Sequence, residues 1–213
     1  MPKLRDHAVR QNQAAIEEVA LRLFIRQGYH GTSIRDVARE AGISIGNIYN
    51  YYPTKEALYV SLVKRYRVRM AEAQGRLKPL LGRFDAESLR ALAKAAREIV
   101  YENPDYWRLM YVDITEFGNR HFAHSFRQLS KTLAKLAGGY QEDGLRPGID
   151  PSLAYAAIYL QFFTYFLVEK LFGGKQHLGQ PEGAAIEQLI RIFRDGIGVP
   201  AAAGDAQASG VES

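Results

Sequence analysis

Two short helical segments joined through a glycine and closed by a proline constrain this chain more than any other feature of its 213 residues. They lie in residues 31 to 58, GTSIRDVAREAGISIGNIYNYYPTKEAL. Ser33 is placed to accept a hydrogen bond from the backbone near Asp36, and the Asp36 carboxylate suits the positive start of a helix. Ile34, Val37, Ala38 and Ala41 then fall on one face at helical spacing. Gly42 stands where a left-handed residue ends a helix, and Ser44 is placed to cap the next one.

The second segment, from about Ile45 to Tyr52, is too polar and too aromatic to be core on all sides. Ile48 and Tyr52, four apart, face inward, which leaves Asn47, Tyr49, Asn50 and Tyr51 for another partner. Gly46 inside a first turn costs up to about 1 kcal/mol relative to Ala, yet it lets the backbone approach a surface closely. Pro53 stops the helix, Thr54 caps the next, and Lys55 stands beside helix N-termini, a position suited to a phosphate oxygen. This order of parts is that of a DNA-reading helix-turn-helix.

The residues Thr32-Ser33-Ile34-Arg35-Asp36-Val37-Ala38, the turn Ala41-Gly42-Ile43-Ser44, and Ile48-Tyr49-Asn50-Tyr51-Tyr52 followed by Lys55, Glu56 and Leu58 resemble the TetR family of bacterial one-component transcriptional regulators. The resemblance is specific over about residues 10 to 60, and beyond them it rests on size and helix pattern. It implies an all-α homodimer whose N-terminal three-helix domain binds a palindromic operator, and whose larger domain holds a small molecule that releases it. Repression is the commoner habit of that family. Asn50 stands where the family often has an aromatic and Tyr51 where it often has His, so the operator sequence does not carry over from a relative.

Within that frame the second helix of the pair lies in the major groove while its partner crosses the backbone. Asn47 and Asn50 offer amides suited to an adenine edge, and Tyr49 and Tyr51 can touch a phosphate or a thymine methyl. Gly46 admits the close approach. Arg35 matches a position from which the family often contacts a base. Thr32, Ser33, Ser44 and Lys55 are the expected phosphate anchors. A short reading helix contacts few base pairs, so two copies spaced for successive grooves are required.

The rest of the chain reads as further helices, about nine in all, with no strand pattern. The expected spans are about 8–27, 55–76, 86–102, a helix from Pro104 ended by Gly118, one carrying Phe122, Phe126, Leu129, Leu133, Leu136 and Tyr140, one after Pro151 that ends at Phe172-Gly173-Gly174, and 183–197. Residues 1–54 are expected to form the DNA-binding domain, 55–198 a ligand-binding and dimerisation domain, and 199–213 a disordered tail. The last two helices are the expected dimer interface, through Leu153, Ala157, Leu160, Leu167, Ile186, Leu189, Ile190 and Phe193, and the Phe122 to Tyr140 seam is the alternative. Rings are abundant enough to suggest a pocket for an apolar or aromatic effector. The candidates are Tyr106, Trp107, Met110, Tyr111, Phe117 and Phe122, with Phe126, Tyr159, Phe162, Phe163 and Phe166. Asp113, Glu116 and Glu169 are possible partners for a cationic ligand, and His121 and His124 for a polar group.

Composition narrows the field. The net charge of +5 favours a polyanionic partner, and the absence of cysteine removes disulfides and thiolate metal sites and suits a reducing cytoplasm. The N-terminus carries no apolar signal region. The apolar run Ala154 to Val168 falls short of the roughly 20 residues that cross a bilayer, so no membrane insertion is expected. Two imidazoles without a third ligand make a poor metal site, and neither a metal nor a cofactor is expected. A helical enzyme or carrier finds no catalytic triad, phosphate loop or cysteine nucleophile in this sequence. A basic membrane-surface protein using residues 55–76 stays open as an alternative.

Overall fold

A computed structural model of the chain describes residues 2–77, 80, 84–124, 127, 131, 145–173, 179 and 181–197. Among the described residues there are eight helices and no strand: α1 (Pro2–Gln27), α2 (Ile34–Ala41), α3 (Ile45–Tyr51), α4 (Lys55–Gly75), α5 (Ala86–Glu102), α6 (Pro104–Phe117), α7 (Pro151–Phe172) and α8 (Glu182–Ile197). The helix expected through Phe122, Phe126 and on to Tyr140 falls mostly outside the described residues, as does the tail from 199.

The chain divides into two compact units. Unit 1 comprises Met1–Arg76 and Glu98–Thr132, and unit 2 comprises Leu77–Arg97 and Leu133–Ser213. Unit 1 is built around α1, whose stripe of Ile16, Ala20, Leu23 and Phe24 is sealed from solvent together with Val37 of α2, Ile48 of α3, Leu58, Tyr59 and Leu62 of α4, and Leu109 of α6. An apolar face repeating every three to four residues makes a helix insert in this way, and burial of each such side chain contributes about 1.5–3 kcal/mol. Asn103 precedes Pro104 at the start of α6, and Gly118 ends that helix in the left-handed conformation at φ 60°.

Unit 2 has Leu89, Leu92, Ala93 and Ala96 of α5 in its interior with Ile158, Tyr159, Phe162 and Phe166 of α7 and Ile190 of α8. Asp150 caps α7 by accepting the Leu153 N–H at 2.8 Å. Arg90 grips Glu187 with two bonds of 2.6 and 2.9 Å, and Arg97 holds Glu182 at 2.8 Å, so two ion pairs join the α5 and α8 surfaces. The 22 residues of α7 exceed the apolar run that the sequence suggests. Contrary to the expectation of a segment too short to span, it is long and apolar enough to cross a bilayer by length and composition. Its Ala154, Tyr155, Ile158, Tyr159, Phe162 and Phe166 side is nonetheless buried in the fold of unit 2.

Candidate nucleic-acid interface

The helix pair folds by local rules. Ser33 accepts the Asp36 N–H at 3.1 Å while the Asp36 carboxylate takes the Ser33 N–H at 3.1 Å, a reciprocal cap that satisfies two orphan donors of α2. These Ser33 bonds, with a 2.6 Å bond from Arg39, hold the Asp36 carboxyl below its ordinary range. Gly42 ends the helix at φ 67°, and the Ile43 N–H returns to the Ala38 carbonyl at 3.1 Å. Ser44 then accepts the Asn47 N–H at 3.1 Å and starts α3. Tyr52 serves as the C-cap of α3 rather than its last turn.

Ile48 and Tyr52 anchor α3 from beneath, at 0 % and 4 % exposure. The opposite side of the helix points outward: Gly46 and Asn50 are exposed, Tyr49 is 49 % exposed, and Asn47 and Tyr51 are half-buried. Arg35, Ser33 and Ser44 are exposed as well. A methyl group added at Gly46 would meet nothing within 4 Å. The chain's own packing therefore gives no reason for a glycine there. Beside α3 an open cleft of about 670 Å³ is lined by His30, Thr32, Ser33, Ile34, Arg35, Ile45, Tyr49 and Lys55.

Two expected phosphate anchors make bonds within the chain. Thr32 is buried at 1 % exposure, and its hydroxyl donates inward to the Gly28 carbonyl at 2.7 Å. The Lys55 ammonium donates to the carbonyls of Tyr29 and Thr32, both at 2.8 Å, and lies 4.1 Å from the centre of the Tyr29 ring. Burial pushes its pKa down. Lys55 thus braces the α1–α2 turn by neutralising carbonyl oxygens.

Three constellations were not legible as such in the sequence. Glu17 of α1 receives Tyr52 and Ser61 hydroxyls on one oxygen, at 2.8 and 3.0 Å, and Arg65 on the other at 2.7 Å. This ties α1, the end of α3 and α4 to one point. Glu116, at the end of α6, accepts the N–H groups of Tyr29 and His30 at 3.0 and 2.7 Å. Asp113, wholly buried, accepts the N–H groups of His121 and Phe122 and lies 2.6 Å from His121 Nδ1. Helical spacing does not display the partners of these acids, which for Glu17 and Glu116 lie far away in sequence.

The expected effector rings separate between the units. In unit 1, Tyr106 packs edge-on against Trp107 and Phe122, with centroids 4.5 and 5.2 Å apart, and all three are buried. Phe117 lies among Tyr29, Tyr59 and His121, so it belongs to the support of the helix pair. Met110 is half-buried and Tyr111 is 42 % exposed. In unit 2, Tyr159, Phe162 and Phe166 are buried and Phe163 is half-buried. Phe126 lies outside the described residues. The described residues contain no group of three potential metal ligands.

The residues expected at a dimer interface all lie in unit 2. Leu153 is 70 % exposed, Leu160 is 41 % exposed and Ala157 is exposed, while Leu167, Ile186, Leu189 and Phe193 are half-buried. Ile190 departs from the expectation. It is 1 % exposed, and its side chain is used up in the interior of its own unit.

Residues 16–62 match the family described as bacterial regulatory proteins, tetR family. Over 58 residues the chain is 41 % identical to an uncharacterized helix-turn-helix transcriptional regulator, YuxN, of Bacillus subtilis, covering 27 % of this chain and 20 % of that one. It is 39 % identical over 61 residues to the transcriptional regulator RutR of Escherichia coli, covering 29 % of each. The chain thus spans about a fifth to a third of the length of these relatives, both of them named as regulators rather than enzymes. The fold of NalD, the secondary repressor of a multidrug efflux pump in Pseudomonas aeruginosa, superposes with a TM-score of 0.62 at 18 % identity, over 92 % of this chain and all of that one.

Proposed function

We propose, from the match of residues 16–62 to the family described as bacterial regulatory proteins, tetR family, that this chain is a cytoplasmic transcriptional repressor of that family that binds a palindromic operator as a homodimer and lets go when an apolar or aromatic small molecule binds. The observation that carries this reading is the two-sidedness of α3. Ile48 and Tyr52 clamp it from below, while Gly46, Tyr49 and Asn50 are exposed and Asn47 and Tyr51 are half-buried at the flanks.

In this reading α3 enters the major groove. Asn47 and Asn50 read base edges, Tyr49 and Tyr51 pack on thymine methyls or phosphates, and Arg35 reaches in from α2. Gly46 lets the start of α3 sit close to the duplex. Ser33 and Ser44 lie at helix starts and serve phosphate oxygens, as the backbone N–H groups there do. The residue 54 boundary divides roles rather than packing: 1–54 reads DNA, and 55–198 receives the effector and the second subunit.

The second subunit docks on the outer faces of α7 and α8, where Leu153, Ala157, Leu160 and Ile192 leave apolar surface in water. The effector sits in unit 2, against the α7 rings Tyr159, Phe162, Phe163 and Phe166. To weaken operator binding a hundredfold it must favour the released spacing of the two reading heads by about 2.7 kcal/mol. The repressor sign follows NalD, whose fold this chain shares.

The test is a gel shift with the protein's own promoter region. The expected result is a specific shift that weakens steeply as salt rises and is lost in an Asn47→Ala, Tyr49→Ala double variant, because each good base contact contributes about 1–3 kcal/mol. A double variant that shifts the fragment as well as the parent would sink the groove assignment. Liposome binding without any shift would favour the membrane-surface reading instead.

A further inference from the structure

We propose that unit 2 receives an organic cation against Glu169, which makes the effector class an amphipathic amine: one protonated nitrogen on an apolar or aromatic body. The inference rests on the regulator reading above for the word effector, and on the geometry of α7 for the chemistry.

Glu169 lies in the last turn of α7 and is 9 % exposed. Its Oε2 is shut off from solvent and has no hydrogen-bond partner among the described residues. A carboxylate oxygen taken out of water without a partner is among the least favourable arrangements a fold can hold, so this one calls for a partner that the described residues do not supply. The two other acids that the sequence offers to a cationic ligand are already satisfied. Asp113 is filled by His121 and Phe122, and Glu116 by the Tyr29 and His30 N–H groups. Of the three, Glu169 keeps an unused buried acceptor.

Its setting selects the occupant. Glu169 continues the buried face of α7 that carries Phe162, Tyr165 and Phe166, so rings stand next to the charge. Glu182, at the start of α8 and held by Arg97 at 2.8 Å, adds a second carboxylate. The Tyr165 phenol records both: its pKa is pushed up first by burial and then by Glu169 and Glu182. Carboxylates beside aromatic faces attract a cation twice over, by charge-assisted hydrogen bonding and through the ring quadrupoles. One unpaired carboxylate oxygen with rings beside it, a second acid already held by an arginine, and no group of three potential ligands among the described residues suit an ammonium group better than a metal ion.

The experiment uses the full chain and three probes with one carbon skeleton: 6-phenylhexylamine, 6-phenylhexan-1-ol and 6-phenylhexanoic acid. Calorimetric titration should show the amine binding wild type about tenfold or more tighter than the alcohol, with the acid weakest. Glu169→Gln, which keeps shape and removes charge, should erase the preference for the amine and leave the alcohol unchanged. Equal binding of all three, binding of none, tightest binding of the acid, or an amine preference that survives Glu169→Gln each overturns the proposal. If the variant fails to fold by circular dichroism, the wild-type order of the three probes decides alone. A promoter shift by the ligand-free protein is scored separately. Its presence with no amine preference removes only the ligand class, and its absence removes the regulator reading whatever the amine does.

Discussion

Tyr52 donates its phenolic hydrogen to Glu17 at 2.8 Å, and this bond fixes the end of α3 to the middle of α1. The same carboxylate receives Ser61 and Arg65 from α4. Besides the buried Ile48, one carboxylate therefore helps to set the direction in which α3 presents Tyr49 and Asn50. Glu17→Ala leaves a phenol and a guanidinium without their acceptor, while the Ser61 hydroxyl keeps the Leu58 carbonyl at 2.7 Å. It should lower the unfolding free energy by about 2–3 kcal/mol in urea titrations, and Glu17→Gln by about 1 kcal/mol, since the amide keeps one acceptor and loses the charge. Equal, negligible losses in both would show that Tyr52 and Arg65 find other partners.

The Tyr52 phenol is pushed up to about 12, first by burial and then by its bond to Glu17. The folded chain thus keeps a proton that the unfolded chain releases near 10. Stability from this group is complete below that value, declines as pH rises through the interval, and is gone above the folded-state value. Tyr59, buried against Asp113 and Glu116, is raised as well and adds to the decline. Urea midpoints measured across this alkaline interval should fall for the parent and fall less steeply for Tyr52→Phe. Parallel slopes for the two proteins would contradict the assignment.

Gly28 ends α1 at φ 77°, and a methyl group there would stand 2.3 Å from Glu116 Oε1. Two separate penalties act on Gly28→Ala: about 1 kcal/mol for the left-handed backbone, and the loss of the Glu116 bonds to Tyr29 and His30, about 1–3 kcal/mol. A thermodynamic cycle separates them. In a Glu116→Ala background the clash is gone, so Gly28→Ala should there cost only the backbone share. A cost that is the same in both backgrounds would mean that Glu116 moves aside freely.

Much of the helix pair could be read in advance because its determinants are local. Ser33 with Asp36, Gly42, Ser44 and Thr54 act within four residues of themselves, and the structure places each in the expected cap. Ile48 and Tyr52 follow from spacing alone. Thr32 and Lys55 carry bonds within the chain that the sequence does not display. Their partners, the carbonyls of Gly28, Tyr29 and Thr32, are supplied by a turn whose backbone course the sequence does not display. Glu17, Asp113 and Glu116 pair across distances in sequence, or with backbone, and periodicity does not say with which partners. Ile190 shows the same limit, because a stripe says which face is apolar and not whether its own unit or another covers it.

Leu153 and Ile192 expose 70 % and 64 % of their surface in unit 2. If a second copy covers them, Leu153→Asp and Ile192→Asp should each turn a dimer into a monomer in light scattering, since a buried unpaired charge opposes association by about 3–5 kcal/mol. Operator binding should fall with the dimer while helicity holds. A dimer that withstands both changes would place the contact elsewhere.

Gly46 offers a test in which stability and function should move in opposite directions. Its backbone is not in the left-handed region, it lies in the first turn of α3, and a methyl group there meets no atom of the chain. Alanine restricts the unfolded chain and favours the helix, so Gly46→Ala should raise the unfolding free energy by up to about 1 kcal/mol. If the proposed groove assignment holds, the same methyl stands on the face toward the duplex and holds the backbone away from base edges and phosphates. Operator affinity should then fall about tenfold, roughly the worth of one good contact. Thermal melts and gel shifts on one preparation read both quantities. A variant that is more stable and binds as tightly would take the start of α3 out of the interface, whereas one that loses stability would show that the glycine serves the fold after all.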